Sequence, residues 1–210
     1  MAQMSSGLLG SIRGKAGDKV YYVRKGKQCV RSVPKKSSKE PSRSQLEQRA
    51  KMAKAIFFVS SLKQLLSISY RHYFKHRTPS NEVVKQILRS AITGVYPDFN
   101  IDYSKVLVSL GHIAKNPSAR ASAAKNEINF AWNTICIGGS YNNDRSILIA
   151  YCEALNRCIF TSTGPIRRTG EATLPVPDFR GQLIHTWLSF ISEDGKNVAD
   201  SVYTGAVWVT

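Results

Sequence analysis

The second half of the chain alternates between short apolar runs and turn residues, and this pattern constrains the fold most. From Tyr103 to Thr210, segments containing Gly, Asn, Asp or Pro separate seven runs rich in β-branched and aromatic residues. The runs are YSKVLVSLGHIA, EINFAWNTICI, RSILIAYCEA, NRCIFTS, GEATLPV, LIHTWLSFIS and DSVYTGAVWVT. Short strands spaced roughly 8 to 14 residues apart are typical of antiparallel sandwiches. The pattern predicts a seven-stranded, immunoglobulin-like antiparallel β-sandwich over residues 95–210.

Apolar residues follow a helical period in the preceding segment, residues 42–94. A stripe at three- and four-residue intervals predicts one long helix with these residues on its buried face: Leu46, Ala50, Ala53, Phe57 and Leu65. A second helix is predicted over SNEVVKQILRSAI, with Ser80 or Asn81 as its N-cap and Gly94 and Pro97 ending it. The predicted fold class is therefore α+β, mainly β with two helices.

The first 41 residues contain two β-prone runs, KVYYVR and QCVRSV, on either side of the turn Lys25–Lys27. This arrangement predicts a hairpin in which Val20, Tyr22 and Arg24 share one face. The tract PKKSSKEPSR that follows has the composition of a linker. We expect residues 1–41 to form a basic hairpin arm.

The positive charge of the chain is confined to its N-terminal part. Residues 1–90 hold 20 Lys and Arg against 4 Asp and Glu, whereas residues 91–210 hold 10 of each, so the net charge of +16 comes entirely from the first 90 residues. This asymmetry indicates a basic part that meets an anionic partner and a neutral folded module. The alternative is a solvated basic surface that only keeps the protein soluble.

Six basic residues of the arm fall within thirteen positions, and we predict that they bind a phosphate or another anionic partner: Arg24, Lys25, Lys27, Arg31, Lys35 and Lys36. Basic residues interleaved with aromatics, as in KVYYVRKGK and SYRHYFKHR, combine phosphate neutralisation with stacking. None of the usual nucleic-acid-reading motifs accompanies them. An acidic protein surface is an equally good partner on this evidence.

Motifs of catalysis and metal binding are weak. GSIRGKAG has the glycines and lysine of a phosphate-binding loop, but three rather than four residues separate Gly10 from Gly14, and Ala16 follows the lysine. His72 and His76 have the spacing of two zinc ligands on a helix, without a third ligand nearby. The cysteines form no CxxC pair, and Cys152 and Cys158 have the surroundings of buried thiols. We expect no enzyme activity, no cofactor and no metal.

The chain start lacks the basic and apolar regions of a classical signal peptide, and no run of residues is long and apolar enough for a membrane helix. We expect the protein not to be secreted by that route, not to enter a membrane, and to be reduced in the cytoplasm or carried in a virion.

The order GSIRGKAGDKVYYVRKGKQCVRSVPKK, SRSQLEQRAKM and a β-rich half ending in SVYTGAVWV resembles an uncharacterised family of roughly 200-residue proteins from Bacteroidota. The front half is similar to phage-encoded structural proteins, with matching residues at Gly14, Lys15, Gly17, Gly26, Arg31, Pro34, Gln45 and Arg49. The spacing before Gln45 departs from that pattern. The resemblance implies a component of a particle or tail and carries no known activity.

The leading hypothesis is a non-enzymatic structural or assembly protein of a phage or phage-like particle that docks through its basic arm. Its partners would be protein subunits, either further copies or other particle components. One alternative is a cytosolic protein that binds DNA or RNA without sequence specificity. A second alternative is a protein–protein adaptor.

Overall fold

A computed structural model describes residues 3–4, 12–24, 26–35, 39–70, 78–134 and 143–210. The chain divides into two compact units, residues 1–42 and residues 43–210. The predicted boundary after residue 41 lies next to this division. The predicted boundary between residues 94 and 95 falls inside the second unit.

The described residues contain thirteen strands and three α-helices. The strands are β1 (Gln3–Met4), β2 (Ile12–Ala16), β3 (Lys19–Arg24), β4 (Lys27–Ser32), β5 (Ile92–Val95), β6 (Asp98–Ile101), β7 (Arg120–Ala124), β8 (Glu127–Ala131), β9 (Arg145–Cys152), β10 (Arg157–Thr161), β11 (Glu171–Pro175), β12 (Leu183–Ile191) and β13 (Val202–Trp208). The helices are α1 (Arg43–Ser61), α2 (Lys63–Ser69) and α3 (Pro79–Gln86), and α3 continues into a π-helical turn over Ile87–Ala91. The predicted α+β class, mainly β, is confirmed.

The first unit is a four-stranded antiparallel sheet in the order β1-β2-β3-β4. The predicted hairpin, β3 with β4, is part of it, so the prediction of a two-stranded arm was too small. The turn between β2 and β3 is Gly17–Asp18, and Gly17 has a φ of +60°. Two-residue hairpin turns with glycine first need this positive φ, which explains why a glycine-rich segment still pairs as a strand.

Seven strands of the second unit form two antiparallel sheets, one in the order β10-β9-β12-β13 and the other β11-β8-β7. Side chains from both sheets meet in one hydrophobic cluster, in which Phe130 and Leu174 of the smaller sheet pack with Leu148, Leu188 and Phe190 of the larger. Counted from β7, the fourth sandwich strand is β10, and it pairs with β9. In constant-type immunoglobulin domains the fourth strand instead lies in the sheet of the first two, so the strand order here differs from that of those domains.

The other face of the sheet β10-β9-β12-β13 is buried by the helices. Ile149 and Tyr151 of β9 and Trp187 of β12 form a second hydrophobic cluster with the helical residues Phe58 and Leu66. The sheet β10-β9-β12-β13 therefore lies between a helical layer and the three-stranded sheet. The hairpin β5-β6 joins the helices to the sandwich strands.

Six of the seven predicted strand runs contain a strand, and the first one does not. Residues 106–112 of the run 103–114 form neither helix nor strand. Hydrogen bonds to side chains, rather than pairing with a neighbouring strand, fix this segment. The Ser201 hydroxyl accepts from the Val108 amide, and an Asp200 carboxylate oxygen accepts from the Gly111 amide. The first sandwich strand is instead β7, whose sequence RASAA lacks the β-branched and aromatic residues that mark strands.

The prediction for the long helix was wrong in two respects. Helices α1 and α2 are separate, with Leu62 between them, so the described residues contain three α-helices rather than two. The buried face of α1 holds Ala55, Phe58 and Val59, while Phe57 is 55% exposed. Helix α1 thus carries two apolar stripes on opposite sides, and periodicity alone cannot tell which one meets the core.

A pair of substitutions on α1 tests this assignment. Ala55 is 0% exposed, whereas Ala53 is exposed. Ala55→Asp places a carboxylate in the helix–sheet cluster and should lower the free energy of unfolding by several kcal/mol. Ala53→Asp should change it by about 0.5 kcal/mol or less. Urea denaturation of both variants measures the difference, and a larger loss for Ala53→Asp would place the core on the other face.

Candidate functional site

The register of the N-terminal sheet places a set of basic side chains on one face. Val20 lies opposite Lys15 on β2 and opposite Arg31 on β4. Two residues further along β3, Tyr22 lies opposite Cys29, and after two more residues Arg24 lies opposite Lys27. Directly paired residues and residues two apart on a strand share a face of the sheet. We call this surface the basic face; its residues are Lys15, Val20, Tyr22, Arg24, Lys27, Cys29 and Arg31.

Tyr22 lies near the centre of the basic face. Arg24 and Lys27 lie at one end of it, and Lys15 and Arg31 lie at the other. The four basic residues are exposed, and the tyrosine is 36% exposed. The acids of the described part of the first unit, Asp18 and Glu40, lie in a turn and after the last strand, away from this face. The face therefore carries at least four positive charges around an aromatic ring; Arg13, also exposed, lies two residues before Lys15 on β2, beyond the last β2–β3 pair of Gly14 with Tyr21.

A hollow of about 360 Å³ opens on the basic face. Val20 and Tyr22 line it together with Arg24 and Arg31. Its lining thus combines an apolar and aromatic floor with two guanidinium groups. Such a hollow can hold a flat group against the tyrosine while the arginines bind anionic oxygens.

The opposite face of the same sheet is mainly apolar, with one exposed lysine, Lys19, at the level of Ala16 and Ser32. Tyr21 lies opposite Gly14 and Val30, and Val23 lies opposite Gln28, whose side chain donates to the Ile12 carbonyl at 2.6 Å. The amide of Val33 donates to the Asp18 carbonyl at 2.8 Å and holds the end of β4 against the β2–β3 turn. The two faces of the sheet therefore differ: four basic residues surround Tyr22 on one face, whereas Tyr21, Val23 and Val30 dominate the other.

The six predicted binding residues divide into three groups. Arg24, Lys27 and Arg31 are brought together on the basic face. Lys35 is exposed after the end of β4 and belongs to neither face. Lys25 and Lys36 lie outside the described residues, as do His72 and His76 of the predicted metal pair. Sequence reasoning missed Lys15, because the glycines around it gave no sign that β2 is a strand.

A second cluster of titratable groups lies where the helices meet the four-stranded sheet. The rings of Tyr103 and His185 stack with centroids 4.0 Å apart, and the His185 Nδ1 lies 2.9 Å from the Tyr203 hydroxyl. Burial lowers the pKa of His185, with Glu153 acting in the opposite direction. Burial also raises the pKa of Tyr103. A neutral imidazole with a stacked ring and one hydrogen-bonded nitrogen satisfies the needs of a packed histidine.

The lowered pKa of His185 predicts a pH dependence of stability. An imidazole in the unfolded chain has a pKa near 6.5, so below that value the unfolded state takes up a proton that the folded state resists. The stabilisation is complete above about pH 6.5 and decreases as the pH falls through the folded pKa. Between pH 7.5 and pH 5, the melting temperature of wild type should therefore fall further than that of His185→Gln.

The His185 signal in a proton NMR titration gives the second measurement of this prediction. Its midpoint should lie below 6.5. A midpoint at or above 6.5, together with parallel melting curves for wild type and His185→Gln, would contradict the assignment.

Arg167 is the buried cation of the sandwich. Its Nη2 lies 3.6 Å from Asp144 Oδ2 and donates to the Ala114 carbonyl at 2.8 Å. The guanidinium carbon lies 3.9 Å from the centroid of the Phe190 ring. The Arg167 carbonyl accepts from Trp132 Nε1 at 2.7 Å. Burial raises the pKa of Asp144, while the charge of Arg167 acts to lower it. These contacts give the pair a structural role at one end of the sandwich.

Removal of the buried cation should destabilise the second unit. Arg167→Ala leaves the Asp144 carboxylate buried beside a cavity, and breaking a buried ion pair in this way costs about 3–5 kcal/mol. The neighbouring Arg168 is exposed, so Arg168→Ala should stay within about 0.5 kcal/mol of wild type. Urea denaturation distinguishes the two, and equal free energies of unfolding would show that the Arg167 pair does not stabilise the fold.

A larger hollow, of about 750 Å³, lies on the outer face of the three-stranded sheet. Arg120 and Glu171 line it together with Asn129 and Thr173, and the Thr173 hydroxyl donates to the Asn129 side-chain oxygen at 2.8 Å. Its one arginine and one glutamate have opposite charges, and the Thr173 hydroxyl is hydrogen-bonded to the Asn129 side chain. The basic face has the stronger chemical signature despite its smaller hollow.

Metal and thiol chemistry have little support in the described part of the chain. No group of three His, Cys, Asp or Glu side chains comes together there. Cys152 is buried, and burial raises the pKa of the Cys158 thiol to about 12, so neither is an activated nucleophile. No helix among the described residues is both long and apolar enough to span a membrane.

The sequence model of DUF6266, a family of unknown function, matches residues 11–205, and the chain belongs to that family. The match begins just before β2 and ends within β13, so it includes both the basic face and the sandwich. No curated protein and no solved structure matches the chain.

Proposed function

We propose that the protein is a non-enzymatic structural or assembly protein. In this proposal the second unit is the body, and the N-terminal sheet docks it onto an anionic partner through the basic face. The observation that carries the proposal is the placement of Lys15, Arg24, Lys27 and Arg31 on one exposed face. Such a face attracts an anionic surface over distances of about a Debye length.

The chemistry of the second unit supports a role without catalysis. Its buried charged pair is Arg167 with Asp144, and its half-buried histidine is hydrogen-bonded to Tyr203. Among the described residues, these groups make contacts within the unit that contribute to its packing. The body is then the folded module that the N-terminal sheet attaches to the partner.

The assembly would be a phage or phage-like particle. This part of the proposal rests on the resemblance of the front half to phage-encoded structural proteins and on the combination of a β-rich body with a basic extension. The protein would meet further copies of itself or other particle components, either in the virion or in the cytoplasm before assembly.

The proposal is tested by neutralising the basic face. Wild-type protein from its native cells should sediment with large particles. The variant in which Lys15, Arg24, Lys27 and Arg31 are changed to Gln should instead sediment as a slow, small species. The matched control changes two exposed lysines and two exposed arginines of the body, Lys115, Lys125, Arg168 and Arg180, to Gln. This control should sediment like wild type, because the net charge is the same in both variants.

Thermal denaturation gives the necessary check, since exposed charges contribute little to stability and both variants should melt near wild type. Equal losses of sedimentation in the two variants would show that net charge alone governs association. A wild-type protein that stays monomeric in its native cells would contradict an assembly role.

A further inference from the structure

We propose that the partner of the basic face is a single-stranded nucleic acid, with one base stacked on Tyr22 and phosphates on either side bound by the basic residues. This inference rests on the proposed docking role and names the chemical class of the partner. Its evidence is the position of an aromatic ring among the four charges.

A carboxylate-bearing protein surface would use the charges of this face but not its centre. Tyr22 and Val20 form the floor of the hollow, and Arg24 and Arg31 line it. An acidic protein patch presents carboxylates, which gain little from contact with an apolar floor. A nucleotide strand presents anionic phosphates and flat, apolar base faces in one polymer, and single-strand-binding surfaces combine basic grooves with aromatic platforms for this reason.

The spacing of the charges suits a strand that crosses the face. The pair Arg24 and Lys27 lies four residues along β3 from the level of Val20, where Lys15 and Arg31 flank the strand. At about 3.4 Å per residue the two ends are roughly 14 Å apart, with Tyr22 midway between them. Phosphates on both sides of a base stacked on Tyr22 can therefore meet a basic pair.

The same geometry excludes duplex DNA as the preferred form. In a duplex the base faces are covered by their stacked neighbours, so Tyr22 could not reach them, and the charges alone would act. Binding through phosphates and one stacked base carries little information about sequence. The face should prefer single strands to duplexes and discriminate weakly among sequences.

Fluorescence anisotropy with a labelled 20-nucleotide oligo(dT) and the full-length protein tests the inference. Wild type should bind, and its affinity should fall with salt with a slope of about −3 in a double-logarithmic plot if all four basic residues meet phosphates. Tyr22→Ala should weaken binding roughly 5- to 150-fold with little change in that slope, as expected for a lost base–aromatic stack. Arg24→Gln with Lys27→Gln should instead reduce the slope to about half.

Two further tyrosine variants are controls for misfolding of the sheet. Tyr22→Phe keeps the ring and should bind within about twofold of wild type. Tyr21 lies on the opposite face, so Tyr21→Ala should leave binding within a similar range as long as circular dichroism shows that the sheet remains folded. A loss of binding in Tyr22→Phe as large as that in Tyr22→Ala would overturn the stacking.

The remaining outcomes separate this inference from the proposed function. Equal affinity for the oligo(dT) and for its duplex, with no effect of Tyr22→Ala, would show simple charge attraction and overturn the inference. Binding of poly-glutamate with no binding of oligo(dT) at low salt would also overturn it and would indicate an acidic protein partner, while the docking role stands. Wild-type protein that binds oligo(dT) but does not sediment with large particles in its native cells would refute the assembly role alone.

Discussion

The sheet β10-β9-β12-β13 is buried on both faces, and the arrangement of residues 43–210 depends on this constraint. Along β9, Ile147 and Ile149 point toward the helices, whereas Leu148 and Ala150 point toward the three-stranded sheet. A shift of register by one residue would exchange the two sets, so both layers must be present to fix the strand. The helices are therefore part of the core of the sandwich unit rather than a separate module.

In the proposed function, it is the N-terminal sheet that meets partners. In the second unit, buried polar groups such as Ser109 and Ser189 are satisfied by neighbours within the unit. In the first unit, the basic face carries four exposed cations around a partly exposed tyrosine. The proposed roles follow from this difference: the body supplies a stable shape, and the small sheet supplies charge and a stacking surface. Helix α1 adds an exposed apolar stripe that includes Ile56 and Phe57.

Residue patterns predicted the strands where the chemistry of the side chains was strong. The runs around Ile149 and Trp187 are rich in β-branched and aromatic residues, and both became central strands. The residue patterns did not predict β7, which is made mostly of alanine, or β2, which is interrupted by Gly14. Periodicity found α1 but selected the stripe of Ala53 in place of that of Ala55, because both stripes are apolar and only the packing partner distinguishes them. The charge count located the basic part, while the position of Lys15 beside Val20 required the register of the sheet.

The central proposal is that partner contact is confined to the basic face of the N-terminal sheet. Backbone amide NMR of the full-length protein during titration with oligo(dT) reports on every region at once. The amide signals of Val20, Tyr22, Arg24 and Arg31 should shift in proportion to bound oligonucleotide, while those of the four-stranded sheet in residues 145–208 stay in place. Shifts centred on the sandwich, with the signals of β3 and β4 unchanged, would contradict the proposal.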